Sequence, residues 1–236
     1  MDNYEEVLER CPICGRTTKM TIYRDFLDDP WTVDCICDCE VIDRKDEFKS
    51  DIDYFHNIIL DKKFKEATFD ADDLKNVKVT TYCKEYVINF RKIIKRRKNS
   101  LVFIGNTGVG KSFFAACIGN ALLDAGYTVL ATTLPRLAAD TGFDLNAKLR
   151  QLKQYQVLII DDWGIERKTE FMDEFLQTIV DERYRQQLPL ILTSNRTTQQ
   201  ILYPEDAVDH RIISRLAEMA DVIPVKGEDR RTKQGE

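Results

Sequence analysis

Residues 101 to 112 read LVFIGNTGVGKS and pass from an apolar strand pattern through a glycine-rich turn to the start of a helix. Leu101 to Ile104 is a short apolar run of the kind that forms a strand covered on both faces. The glycines at 105, 108 and 110 let backbone N–H groups converge on an anion. The stretch therefore fits the P-loop, or Walker A motif, of nucleotide-binding proteins.

The residues of this motif have expected roles toward a nucleotide. Lys111 is placed to reach the β- and γ-phosphates, and the Ser112 hydroxyl is placed to ligate Mg²⁺. The following helix is expected to stop at Gly126. Its predicted core-facing residues are Phe113, Phe114, Ala116, Cys117, Ala121 and Leu122. The predicted nucleotide-binding residues are Gly105, Asn106, Thr107, Gly108, Val109, Gly110, Lys111 and Ser112.

A second polar site follows the apolar run Val157 to Ile160, which ends in Asp161 and Asp162. A buried strand that ends in carboxylates fits a Walker B element. Asp161 is placed to hold Mg²⁺ through water. Asp162 occupies the position where related ATPases carry a glutamate that orients the attacking water. Because aspartate is one methylene shorter, slow hydrolysis is expected.

Two further residues are candidates for contact with the γ-phosphate. Asn195 follows the predicted strand Leu188 to Thr193, where it can serve as sensor I or simply as a turn residue. Arg215 precedes a predicted last strand around Asp221 to Val225. Its guanidinium is a candidate to contact a neighbouring subunit's γ-phosphate, with an ordinary surface salt bridge as the alternative.

The segments around these motifs have the patterns of helices and strands. Residues 77 to 98 are predicted to form one helix, Tyr127 to Ala131 a strand, Pro135 to Asp140 the start of a helix, and residues 170 to 187 another helix. The inward side chains of the first helix are predicted to be Tyr82, Tyr86, Val87, Phe90 and Ile94. Its basic end, RKIIKRRK at 91 to 98, is compatible with contact to DNA phosphates or with a solvated helix face.

Five of the seven cysteines fall within the first 39 residues. The pair Cys11 and Cys14 has the spacing that lets two thiolates reach one ion, and four thiolates close a tetrahedral structural Zn²⁺ site. The predicted ligands are Cys11, Cys14, Cys37 and Cys39, with Cys35 as an alternative to either of the last two. Buried free thiols are the alternative for this cluster. Cys83 and Cys117 are predicted to be small core residues.

The whole chain sets broad limits on the class of protein. Its 236 residues fit one α/β domain of about 180 residues with a small appendage. The net charge of -5 argues against wholesale coating of nucleic acid. No apolar run approaches the about 18 residues of a membrane span, and the acidic start MDNYEEVLERC is unlike a signal peptide. A cytoplasmic protein without a membrane partner is expected.

The order of motifs GNTGVGKS, LIIDDWG, LTSN and ISRL resembles the AAA+ ATPases of the bacterial and phage replicative-helicase loader family, the DnaC/DnaI type. The match covers residues 64 to 231, and KKFKEATF, ERY and KGEDRR also look like that family. The resemblance implies a parallel sheet flanked by helices, with the sensor I strand between those of Walker A and Walker B. It also implies that the catalytic residues are Lys111, Asp161, Asp162, Asn195 and Arg215.

The resemblance further implies a domain layout. Residues 1 to 60 would form a zinc-binding, helicase-interacting module with a helical linker, and residues 61 to 236 the AAA+ ATPase domain. Only 21 residues follow Arg215, so no C-terminal lid domain of three helices is expected. Sensor II then has no secure place, with Arg230 or Arg231 as a partial substitute.

The function implied is that of an ATP-dependent loader of a hexameric replicative helicase in DNA replication initiation. Such a loader would use ATP, Mg²⁺ and Zn²⁺, bind single-stranded DNA and self-assemble through a trans arginine finger. The alternative from the same fold is a transposition-targeting, IstB-like ATPase that remodels duplex DNA. Alternatives of other classes are a small-molecule kinase and a zinc-containing DNA-binding adaptor whose ATP site is a structural switch.

Overall fold

A computed structural model describes the backbone of residues 4–10, 17–24 and 31–34, and also residues 66–71, 76–139, 145–164, 170–204 and 207–230. The first three ranges are strands β1 (Tyr4–Arg10), β2 (Thr17–Arg24) and β3 (Trp31–Asp34), which pair antiparallel in the order β1-β2-β3. All five candidate zinc ligands, and the helical linker predicted over residues 40 to 63, lie outside the described residues.

The larger sheet holds five parallel strands in the order β5-β6-β7-β4-β8. Its strands are β4 (Ser100–Ile104), β5 (Val129–Thr133), β6 (Val157–Trp163), β7 (Leu190–Ser194) and β8 (Ala220–Pro224). The sensor I strand β7 lies between β4 and β6, as predicted.

Helices connect and flank these strands. A 3-10 turn, Phe69–Ala71, precedes α1 (Val77–Ile88), α2 (Phe90–Ile93), α3 (Lys111–Asp124), α4 (Leu134–Ala139), α5 (Leu145–Leu152), α6 (Glu170–Gln186), α7 (Thr198–Leu202) and α8 (Ala207–Met219). No described helix is long and apolar enough to cross a membrane. The described residues after β8, 225 to 230, contain no helix.

Successive residues of the central strands face opposite sides of the sheet. In β4, Leu101 and Phe103 join one buried cluster, whereas Val102 and Ile104 join the other. The first cluster includes side chains of α1 and α3, and the second includes side chains of α6 and α8. Helices therefore cover both faces, which explains why the strand sequences are continuously apolar.

Several predicted boundaries were wrong; the strand predicted to begin at Leu188, for example, begins at Leu190. The helix predicted over residues 77 to 98 is interrupted at Asn89, whose backbone and side-chain N–H groups both donate to Glu85 O at 3.0 Å, and no helix continues beyond Ile93. The strand predicted to begin at Tyr127 begins two residues later. There the Tyr127 N–H caps α3 by donating to Leu122 O, at 3.0 Å, so it is not available to the sheet.

Arg183 ties α6 to the starts of two strands. The residue is 2% exposed, and its guanidinium donates to Tyr155 O at 2.8 Å and Gln156 O at 2.9 Å, just before β6, and to Pro189 O, just before β7. Burial lowers the pKa of this guanidinium to about 9. Backbone carbonyls therefore supply the partners that a carboxylate commonly supplies for a buried arginine.

Replacement of Arg183 should destabilise the domain. Arg183→Met removes the donor of two buried hydrogen bonds, to Tyr155 O and Pro189 O, and of a partly buried one to Gln156 O, so the free energy of unfolding should fall by about 2 to 4 kcal/mol. Arg183→Lys keeps a cation but loses the planar fork, and should lie between parent and Arg183→Met. Denaturant titration followed by circular dichroism measures the difference. A midpoint unchanged in Arg183→Met would contradict this role.

Candidate nucleotide-binding site

The predicted P-loop joins the carboxyl end of β4 to the first turn of α3. Gly108 and Gly110 have φ angles of 76° and 103°, in the left-handed region that favours glycine. Gly110 is the N-cap residue of α3, so the free N–H groups of the first helical turn lie at this loop. The backbone therefore has the loop conformation and the helix start that the predicted anion site requires.

Lys111 connects the P-loop to the end of β7. The residue is 5% exposed, and its Nζ donates to Gly105 O at 3.0 Å, to Asn106 O at 2.7 Å and to Asn195 Oδ1 at 2.6 Å. The structure thus brings the candidate sensor I residue against the P-loop lysine. A phosphate that binds this ammonium must compete with these three acceptors.

The two Walker B carboxylates occupy an irregular part of β6. The pairing of β6 with β7 shifts register between Ile160 and Trp163, and Asp162 has a φ of 61°. Thr193 holds this bulge, since its hydroxyl donates to Asp161 Oδ1 at 2.6 Å and accepts from the Asp162 N–H at 2.9 Å. Strain of this kind is common where a side chain must be aimed at a ligand.

Thr193 was missed as a site residue by sequence reasoning. It is completely buried in β7, where its neighbours along the strand are Leu192 and Ser194. A hydroxyl just after the apolar run of a central strand is the signal that could have identified it. Its partner could not be inferred, because that depends on the pairing of β6 with β7.

Residues 225 to 230 lie against the P-loop. The Val225 N–H donates to Ile104 O at 2.8 Å, and the Arg230 N–H donates to Gly108 O at 3.0 Å. A Cβ added at Gly105 would lie 2.2 Å from Val225 O. The loop glycines therefore make room for this C-terminal segment as well as for a ligand.

Two charged side chains of this segment reach the loop. A Cβ added at Gly108 would lie 1.8 Å from Asp229 Oδ1, and one added at Gly110 would lie 3.3 Å from Arg230 Cζ. The Asp229 carboxylate would repel a phosphate at Gly108, whereas the Arg230 guanidinium would attract one at Gly110. Arg231, the other residue considered as a sensor II substitute, lies outside the described residues.

Arg215 contacts α6. Its Nε donates to Asp181 Oδ1 at 3.1 Å, its Cζ lies 4.6 Å from the centroid of the Tyr184 ring, and 42% of the side chain is exposed. The hydrogen bond to Asp181 raises the pKa of the guanidinium. Tyr184 also accepts a hydrogen bond from Arg97, which precedes β4. Arg215 therefore lies toward the amino ends of the strands, opposite to the P-loop.

The basic segment 91 to 98 is an exposed surface whose charge is partly compensated. Arg97 pairs with Glu218, and Lys98 Nζ lies 2.9 Å from Asp221 Oδ1. Exposed cations that remain are Arg91, Lys92, Lys95 and Arg96. Contact with DNA phosphates remains a prediction for this segment.

Two substitutions should separate nucleotide binding from turnover. Lys111→Ala should raise the Kd for ATP by about tenfold or more, because the phosphates lose a point charge. Asp162→Asn should leave that Kd within about twofold and lower the turnover number by about a hundredfold. Titration with a fluorescent nucleotide and phosphate-release assays measure the two effects. Asp124→Asn, an exposed carboxylate at the other end of α3, is the matched control, and equal turnover in Asp162→Asn and the parent would reassign the base.

Solved structures of two helicase loaders are similar to this chain. The crystal structure of DnaI is 26% identical with a TM-score of 0.60, over 71% of this chain and 95% of that chain. The crystal structure of the DnaC helicase loader is 25% identical with a TM-score of 0.59, over 70% of this chain and 100% of that chain. The parallel sheet with its flanking helices is therefore the AAA+ P-loop core, as the motifs predicted.

The curated relatives include a helicase loader and ATP-binding proteins of insertion sequences. The replicative helicase loader DnaI of Bacillus subtilis is 25% identical over 212 residues, which are 82% of this chain and 68% of the relative. The phage-like element PBSX protein XkdC of the same organism is 29% identical over 59% of this chain and 56% of its own length. The putative ATP-binding protein of insertion sequence IS1162 from Pseudomonas fluorescens is 34% identical over 37% of this chain and 40% of its own length.

The chain thus spans about two thirds of the DnaI relative and about half or less of the other two. Both the loader resemblance and the IstB-like alternative are represented among these proteins. The family model described as IstB-like ATP binding protein matches residues 29–236. This range includes the P-loop, the carboxyl ends of β6 and β7, and the C-terminal segment. The chain therefore belongs to the family of IstB-like ATP binding proteins.

Proposed function

We propose that the protein is an ATP-hydrolysing loader of a hexameric replicative DNA helicase that acts on single-stranded DNA. The observation that carries the ATPase part is the hydrogen bond between Lys111 Nζ and Asn195 Oδ1, which joins the P-loop to the end of β7. Thr193 of the same strand donates a hydrogen bond to the Asp161 carboxylate of β6. Similarity to the loaders DnaI and DnaC supports the helicase as partner.

The site residues divide the work of hydrolysis. ATP would supply the transferred phosphoryl group and Mg²⁺ would neutralise its charge. The P-loop backbone and Lys111 would bind the phosphates, while Ser112 and Asp161 would hold the metal ion. Thr193 fixes the Asp161 carboxylate by its hydrogen bond. Asp162 and Asn195 would orient the attacking water at the same edge of the sheet.

The position of Arg215 supports a role on a neighbouring subunit. The P-loop follows the carboxyl end of β4. Arg215 packs on the ring of Tyr184, whose hydroxyl accepts a hydrogen bond from Arg97, and Arg97 precedes the amino end of β4. Five residues of β4 separate these two ends by about 16 Å, beyond the reach of an arginine side chain. We therefore assign Arg215 as a trans arginine finger of a self-assembled loader, which would give up its contact with Asp181 on assembly.

Mixing two variants tests the trans finger. Arg215→Ala and Lys111→Ala should each lose DNA-stimulated hydrolysis, by a factor on the order of 10³ for the finger. A mixture should recover part of the activity, because an intact P-loop and an intact finger then meet at some interfaces. Arg211→Ala, an exposed arginine of the same helix, should behave as the parent. Normal assembly with no recovery at any mixing ratio would remove the assignment.

The N-terminal sheet supports the zinc proposal through its topology. Arg10 pairs with Thr17, and Lys19 pairs with Asp34, so the end of β1, the start of β2 and the end of β3 lie at one end of this sheet. The C-x2-C pair lies in sequence between β1 and β2, and the other three cysteines follow β3. We infer that this end of the sheet holds one Zn²⁺ and that the module contacts the helicase.

Cysteine substitutions test the module and the loader function together. The parent should carry one zinc ion per chain and co-purify with a hexameric helicase more strongly with ATP than without. Cys11→Ser with Cys14→Ser should lose both the metal and the helicase but still bind ATP, because the P-loop is untouched. Cys35→Ser is the control, since it should keep zinc if Cys37 and Cys39 are the ligands. Elemental analysis and co-purification are the measurements.

The family match favours a second candidate, a transposition-targeting ATPase that remodels duplex DNA. Relatives encoded by insertion sequences support it. The same co-purification decides between the two. A parent that binds no candidate helicase, and whose ATPase responds to duplex rather than single-stranded DNA, would favour this second function and reject the first.

A further inference from the structure

Arg196 joins two elements of the ATPase domain from an enclosed position. Its NH2 donates to Asp209 Oδ1 at 3.0 Å, and its NH1 lies 3.0 Å from Asp209 Oδ2. Only 16% of the arginine side chain and 5% of the aspartate side chain are exposed. The guanidinium also stacks on Trp163, with Cζ 4.4 Å from the ring centroid. Such a two-point pair, packed on an aromatic face, fixes the orientation of both partners.

One side of this contact lies at the carboxyl ends of β6 and β7, beside the candidate phosphate site. Arg196 directly follows Asn195, and Trp163 directly follows the two Walker B carboxylates. The Ser194 hydroxyl donates to Trp163 O at 2.7 Å and accepts from the Arg196 N–H at 3.2 Å. Arg196 is therefore held at the end of β7 through its backbone and at the end of β6 through the contact of its guanidinium with Trp163.

The glycine after Trp163 shows how closely the arginine is held. Gly164 has a φ of 89°, and a Cβ added there would lie 3.0 Å from Arg196 Nε. A side chain at this position would be strained and would also press on the guanidinium. The chain therefore leaves space for Arg196 immediately beyond the Walker B element.

The other side of the contact is α8, the helix of the proposed finger. Asp209 lies in its first turn, and Arg215 lies six residues further, about 9 Å along the axis. Ile212 and Leu216, between and beside them, are buried in the core. A displacement of Asp209 would therefore move α8 as a packed unit rather than bend it locally.

We propose that Arg196 is a positioning residue that transmits the nucleotide state of the phosphate site to α8, and through α8 to Arg215. The inference rests on the proposed binding of ATP at the P-loop. A γ-phosphate would draw the Lys111 ammonium away from Asn195 Oδ1, which would free Asn195 to move, and Arg196 is the next residue in the chain. ADP lacks this phosphate, so the two nucleotides would favour different positions of α8.

If the ion pair between Arg196 and Asp209 only stabilised the fold, the expected response to nucleotides would differ. In that case its loss would weaken folding, while α8 would respond equally to ATP and ADP. Coupling instead requires that a change at Asp209 alters the preference of the distant P-loop for ATP over ADP, because linkage is reciprocal. Nucleotide discrimination is therefore a measurement that a structural role alone would not move.

Hydrogen exchange of the full chain tests the proposal without any substitution. Protein alone, with ADP, or with a non-hydrolysable ATP analogue and Mg²⁺ is compared by mass spectrometry. Residues 105–112 should be protected by both nucleotides, and residues 207–219 should change only with the ATP analogue. Protection of the P-loop with equal exchange of α8 in both complexes would overturn the coupling but keep ATP binding. No protection of residues 105–112 would reject the proposed function and the coupling with it.

Two variants then assign the coupling to this contact. Asp209→Asn keeps the side-chain size and removes the charge, and Arg196→Lys keeps the charge and removes the fork. Both should retain P-loop protection, lose the response of α8 specific to the ATP analogue, and reduce the ratio of ADP Kd to analogue Kd by about fivefold or more.

Glu218→Gln is the matched control, since it neutralises the other carboxylate of α8, which pairs with Arg97, and should keep the parent response. A parent-like response in Asp209→Asn would overturn the assignment. If Asp209→Asn does not fold, Arg196→Lys and the unsubstituted chain decide the question by the same measurements.

Discussion

The described domain depends on the position of one buried ammonium group. Lys111 is the first residue of α3, yet its Nζ is bound by two carbonyls of the P-loop and by the side chain of Asn195 at the end of β7. A nearly enclosed cation requires such partners, and only the pairing of β4 with β7 brings them together. The order of strands in the sheet is therefore a condition for the site.

The glycines of the P-loop satisfy two requirements at once. They provide the backbone conformations of an anion-binding turn, and they also leave space for Val225 and Asp229 of the C-terminal segment. That segment places an acidic and a basic side chain against the same loop, so its position affects the charge that a phosphate meets. The residues after β8 thus lie against the candidate nucleotide site.

Helix α8 contacts residues at both the carboxyl ends and the amino ends of the parallel strands. Asp209 in its first turn pairs with Arg196, which follows the carboxyl end of β7. Glu218 in its last turn pairs with Arg97, which precedes the amino end of β4. Arg215 lies between these two attachments and contacts Asp181 and Tyr184 of α6. The residue proposed to act on a neighbouring subunit is thus held by a helix that also contacts the site of its own subunit.

Local patterns in the sequence predicted the fold class, the strand–turn–helix unit at residues 101 to 112, the buried strand that ends at Asp161 and Asp162, and Asn195 as a polar residue at a strand end. These features follow from apolar runs, glycines and strand-end polar residues that are close together in the chain. The sequence did not determine the bulge at Asp162, its support by Thr193, the stack of Arg196 on Trp163, or the C-terminal segment against the loop. Each of these joins residues far apart in the chain. They depend on the register between parallel strands and on the packing of α8, which set the side chains that meet and which no local pattern encodes.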